Sequence, residues 1–146
     1  MVTVDWNRNL LQALEATGRR VISCQDELEK CARNLPVIKA RSGEFEVAFF
    51  FLDYFPLEED LEREYASRGL IPVDPYSLAA VYEDNQFFAP AFQCESYWND
   101  QNGHRCHIQF HQRYGLIDVE VGHSSPRAKY PDQHTDVMFA GVHKTD

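Results

Sequence analysis

The sequence predicts an α+β protein: a single domain in which a long N-terminal helix and two shorter helices pack on a mainly antiparallel sheet of about five strands. Three observations lead there. Apolar residues recur at alternating spacings of 4 and 3 through the first 36 positions. Two proline-marked helix starts follow in the middle of the chain, and the last third alternates side-chain character with a period of two. The chain has 146 residues, a length that fits one domain burying roughly 70% of its unfolded surface. Its 44% hydrophobic content excludes global disorder. By position it divides into a helix or helix pair over 1–36, a strand with acidic helices over 44–85, and an antiparallel meander over 92–142.

Asp5 is the expected N-cap of the first helix. Leu10, Leu14, Thr17, Val21, Cys24, Leu28, Cys31 and Leu35 then form an a/d seam that stops at Pro36. Gly18 inside it costs about 1 kcal/mol relative to Ala and could split the helix in two. One Thr and two Cys among the seam positions make a weak zipper, so the helix is expected to lie across its own sheet. A homodimer through this helix is the competing reading. Glu44–Leu52 begins with alternation and ends as a solid apolar run, which predicts a strand covered on both faces in its second half. Pro56 followed by Glu58, Glu59 and Asp60 suits a helix N-terminus, with Leu57, Leu61 and Tyr65 as the buried stripe and Gly69 at C′. Asp74-Pro75 repeats the cap-then-proline signal for a helix through about Tyr82.

In the last third, Phe92, Cys94, Ser96 and Trp98 alternate with polar or amphipathic neighbours. A turn at 99–103 leads to a second alternating run, His104–His111, and Tyr114-Gly115 is a two-residue turn before Ile117, Val119 and Val121. That turn sets His111 opposite Asp118 and Gln109 opposite Glu120 on the outer side. Ile108 and Phe110 then meet Val121 and Val119 in the core, which Phe45, Val47, Phe49 and Phe51 are expected to share. A loop from Gly122 to about Gln133 precedes a last strand, Asp136–Val142. The helices are expected on one face of the sheet.

The charge is uneven. The net formal charge is −9, yet residues 42–100 hold 13 acids against two bases, Arg63 and Arg68. The excess is densest in Leu57–Tyr65. Glu58, Glu59, Asp60, Glu62 and Glu64, with Glu83 and Asp84 further on, are the candidate partner-binding residues. A solvated face that gives solubility is the bland alternative. The acidic balance argues against direct nucleic-acid binding, which needs a basic surface. With no run of 18 apolar residues and no signal-peptide layout at the start, no membrane contact is expected and the expected location is cytoplasmic, in a reducing compartment.

Site chemistry is sparse. Cys24 and Cys31 are seven residues apart on one predicted helix, too far to bridge. Cys94 and Cys106 lie on neighbouring strands and could approach. All six histidines follow residue 103. On a strand His107 and His111 stand about 13 Å apart and cannot share an ion. His104, Cys94 and Cys106 share a face and could hold zinc with one further ligand, though no Cys-x2-Cys pair supports it. His134, Asp136 and His143 make a poor iron triad. Ser124 and Ser125 lie near His123 and His134, without the second glycine of a nucleophile elbow. No catalytic residue, metal or cofactor is assigned.

Arg68–Val81, Trp98–Cys106 and Phe139–Lys144 together resemble a group of small uncharacterised proteins encoded by bacteriophages and prophages. The resemblance covers residues 68–144, departs at 122–133, and carries over no catalytic residue. It implies a mobile-element setting in a bacterial host cell. The expected function is a non-enzymatic, acidic, phage-encoded inhibitor of a basic host protein or nucleoprotein complex engaged in defence or nucleic-acid handling. The alternatives are a small enzyme or metal protein using the His-rich sheet, and a dimeric structural or virion accessory protein.

Overall fold

The computed structural model describes residues 3–33, 35, 46–52, 54, 56–85, 88, 93–113, 116–123 and 137–143. In chain order its elements are α1 (Leu10–Ala16), β1 (Arg20–Val21), α2 (Gln25–Ala32), β2 (Ala48–Leu52), α3 (Glu58–Ser67), β3 (Leu70–Pro72), α4 (Pro75–Asp84), β4 (Gln93–Asn99), β5 (Arg105–Arg113), β6 (Leu116–Gly122) and β7 (Val137–His143). The class is α+β. The long first helix and the mainly antiparallel sheet of about five strands are both overturned.

The seam breaks for local reasons. Asn9, not Asp5, caps α1: its side chain accepts the Gln12 amide at 2.8 Å, while the Gln12 side chain accepts the Asn9 amide at 2.9 Å. At the other end Thr17 Oγ1 donates back to the Leu14 carbonyl at 2.6 Å and accepts the Arg19 amide. Gly18 then turns left-handed at φ 75°. Arg20 and Val21, freed from the helix, pair in parallel with Asp118 and Val119 of β6. Leu10, Leu14, Leu28 and Cys31 still point inward, but into this chain's own core rather than a partner helix.

The main path of the seven-stranded mixed sheet runs β1-β6-β5-β4-β7-β2, with β3 also paired to β7. The β4–β5–β6 meander has the expected register, including His111↔Asp118, Gln109↔Glu120 and Phe110↔Val119. The last strand departs from it. β7 lies parallel to β4 and antiparallel to β2 and β3. Val137–Val142 is buried throughout, so this run needs cover on both faces and takes an interior position.

Helices lie on both faces, not one. On the first face α1, α2 and α4 bring Leu10, Leu14, Leu28, Leu78 and Tyr82 against Trp98, Ile108, Phe110, Val119 and Val121. The Tyr82 and Phe110 rings stack with centroids 3.6 Å apart. On the second face α3 sets Leu61 and Tyr65 against Phe50, Leu52, Tyr97, Val137 and Phe139. The expected aromatic face of β2 holds in part: Val47 and Phe49 pack on the first core. Phe51 is exposed, and Phe50 and Leu52 belong to the second core. Phe45 lies outside the described residues, as do Pro36, Tyr114-Gly115 and most of the 122–133 loop.

Candidate functional site

Helix α3 forms because its two apolar positions, Leu61 and Tyr65, lie four apart on one stripe and bury completely. Three acids in its first turn face the positive helix end. Gly69, at φ 67°, ends it as expected. Leu57 does not join the buried stripe. It sits at the N-cap, 68% exposed, with its backbone amide donating to Asp60 Oδ2.

The structure divides the seven predicted carboxylates into two groups. Asp60 pairs with Arg63, Glu64 with Arg68 at 2.7 Å, Glu62 with Arg105 at 2.5 Å, and Glu83 with Arg8 at 2.7 Å. The Arg68 contact holds the Glu64 carboxyl below the usual range. Glu58, Glu59 and Asp84 are exposed and make no ion pair among the described residues. A one-dimensional charge count could not foresee Arg105 and Arg8, which reach these carboxylates from 43 and 75 residues away.

The fold adds something the sequence reading missed. Among the described residues five large hydrophobic side chains are exposed, and three of them lie close in sequence: Phe51 near the end of β2, and Tyr54 and Leu57 between β2 and α3. Tyr54 is tied to α3, its phenol raised by partial desolvation and by a hydrogen bond with Glu64. Phe51 alternates onto the opposite sheet face, with Phe49, whereas Tyr54 and Leu57 adjoin Glu58 and Glu59 in the α3 first turn, which make no ion pair among the described residues. The signal was in the sequence, in the run Phe51-Leu-Asp-Tyr-Phe-Pro-Leu57, but it read as core.

The histidine expectations change as well. Of the residues expected on an outer side, His111, Asp118 and Gln109 are buried and Glu120 is half-buried; His107, Gln93 and Glu95 on the same sheet face are buried too. Asp118 is gripped by Arg20 through two nitrogens at 2.9 and 3.0 Å, which raises the Arg20 guanidinium. The zinc set His104, Cys94 and Cys106 is not assembled. Cys94 is opposite Phe110 and Cys106 opposite Trp98, four rungs apart and about 13 Å by strand rise. The same separation prevents a Cys94–Cys106 bridge, and all four cysteines are free. Instead Cys106 meets Cys31 and His123, and His123 Nε2 lies 2.8 Å from Asp100 Oδ2. This row superficially resembles a Cys-His-acid relay. The hydrogen bond with Cys106, and then burial, push the Cys31 thiol upward, the opposite of what a resting thiolate nucleophile needs. Ser124, Ser125, His134 and Asp136 lie outside the described residues.

No protein-family model, no curated protein and no solved structure matches this chain. Among the described residues no helix is long and apolar enough to cross a membrane.

Proposed function

We propose that this protein is a non-enzymatic binding protein that docks on a basic partner through the patch Tyr54, Leu57, Glu58 and Glu59. The observation that carries the reading is the junction of two exposed hydrophobic side chains, Tyr54 and Leu57, with carboxylates that make no ion pair among the described residues. Interfaces of this kind use apolar or aromatic anchors for affinity and surrounding charge for specificity and association rate. The resemblance to phage proteins supports a basic partner in the host bacterium, in its cytoplasm, with inhibition as the outcome. Four carboxylates first grouped with the patch, Asp60, Glu62, Glu64 and Glu83, serve this chain's own arginines and are left out of the contact set.

The test is affinity capture from a bacterial host at low and high salt, followed by equilibrium binding of the recovered protein. Glu58→Lys/Glu59→Lys should weaken binding at least tenfold at low salt, and less at high salt where the native affinity is itself screened. Leu57→Ala should weaken it at both salt levels. Unchanged affinity in the folded variants would leave α3 a solvated face.

A further inference from the structure

We infer that Cys31, Cys106 and His123 form a binding site for a zinc-class divalent cation. Three separate elements deliver the ligands: Cys31 from the last turn of α2, Cys106 from the start of β5, and His123 from just beyond β6. The register explains the meeting. Cys106 is paired with Trp98, whose indole nitrogen donates to the Cys31 carbonyl at 2.7 Å and draws the end of α2 over β5. His107 is paired with Gly122, which brings His123 to the same end of the sheet.

The geometry fits the ion. The donor atoms of the three residues all lie within 4.8 Å of one another, and Cys31 Sγ is 3.9 and 3.8 Å from the two ring nitrogens of His123. Tetrahedral zinc, with bonds of about 2.3 Å to sulfur and about 2.0 Å to nitrogen, sets sulfur–sulfur and sulfur–nitrogen separations near 3.8 and 3.5 Å. Binding would draw the donors in by up to about 1 Å and turn the His123 ring so that one nitrogen points between the sulfurs. The surroundings are those of a ligand histidine: Nε2 faces Asp100 Oδ2 at 2.8 Å, and Nδ1, now 3.5 Å from Glu27 Oε1, is the nitrogen that would turn to the ion. Asp100 is itself fixed by the Asn102 and His104 amides at 2.9 Å each, and Glu27 accepts the His123 amide at 2.7 Å. His123 borders a cavity of about 570 Å³ lined also by Glu27, Lys30, Asp100 and His104, from which water would supply the fourth ligand. Binding converts both thiols to thiolates, their protons pass to solvent, and two negative sulfurs balance the dication. Thiolate and imidazole ligands select zinc over magnesium or calcium.

Chelator-stripped, reduced, full-length protein is titrated with Co²⁺ and then Zn²⁺. The expected result is one Co²⁺ per chain with thiolate charge-transfer and tetrahedral ligand-field absorption, displaced by Zn²⁺. Cys31→Ser or Cys106→Ser should remove much of the charge-transfer band, and Asp100→Asn should weaken affinity 10- to 100-fold. Cys24→Ser and Cys94→Ser should change neither. If a cysteine variant fails to fold, His123→Ala decides: Zn²⁺ should raise the melting temperature of the native chain and not of this variant. Folded, reduced native protein without a stoichiometric charge-transfer signal would overturn the site. So would binding indifferent to His123→Ala, or a Cys31–Cys106 disulfide that persists under reduction.

Discussion

Asp74 carries two duties at one carboxylate. One oxygen accepts the Ser77 amide at 2.9 Å and the other accepts the Ser77 hydroxyl at 2.7 Å, closing the N-terminus of α4. Asp74→Ala should therefore cost about 1–2 kcal/mol, read by denaturant unfolding. Burial raises the Asp74 carboxyl above its ordinary value despite those hydrogen bonds. The folded state thus holds the proton more tightly than the unfolded one. Its contribution to stability is full below the usual carboxylate range and is lost as pH rises through the raised value. Asp74→Asn keeps the cap without that loss, so its stability relative to the native chain should improve as pH rises from below the usual carboxylate range through the raised value. An unchanged difference across that range would remove the carboxyl's linkage to folding. This cap was legible in the sequence because its partners are local. The Glu62–Arg105 pair was not, since nothing in the spacing of 62 and 105 brings α3 beside β5.

At the scale of elements, α3 and α4 were readable because each carries its own stop, start and stripe within ten residues. The first helix misled because seven-residue periodicity survives a break when both fragments bury the same side of the sheet. Leu10, Leu14, Leu28 and Cys31 keep the spacing while β1 intervenes. Gly18 separates the two accounts by the sign of one substitution. In a continuous helix Gly18→Ala would stabilise the chain by about 1 kcal/mol. At φ 75°, with open space around it, the same change forces a left-handed alanine and should destabilise by about 1–2 kcal/mol. Thermal or denaturant unfolding reads the sign directly.

At the scale of the whole molecule, β7 joins the meander to the α3 layer. The Tyr65 hydroxyl donates to the Ala140 carbonyl at 2.7 Å, and a Cβ added at Gly141 would lie 2.8 Å from the Ile71 carbonyl oxygen. Backbone cannot yield there, so Gly141→Ala should destabilise by about 1–3 kcal/mol in an unfolding titration. A last strand was legible in the sequence but its neighbours were not, because a parallel pairing with β4 is set by a distant crossover rather than by a turn. The same long-range topology hid the meeting of Cys31, Cys106 and His123, whereas the acidic half of the docking patch was visible as composition. The docking claim is tested most directly by a photo-crosslinking residue placed at Leu57 or, as a control, at Leu116, which are 68% and 65% exposed. Crosslinked in a bacterial host, position 57 should give one discrete adduct with a basic protein, lost in Glu58→Lys/Glu59→Lys and absent at position 116. Identical adduct patterns at the two positions, or an adduct at 57 indifferent to the charge reversal, would contradict the account.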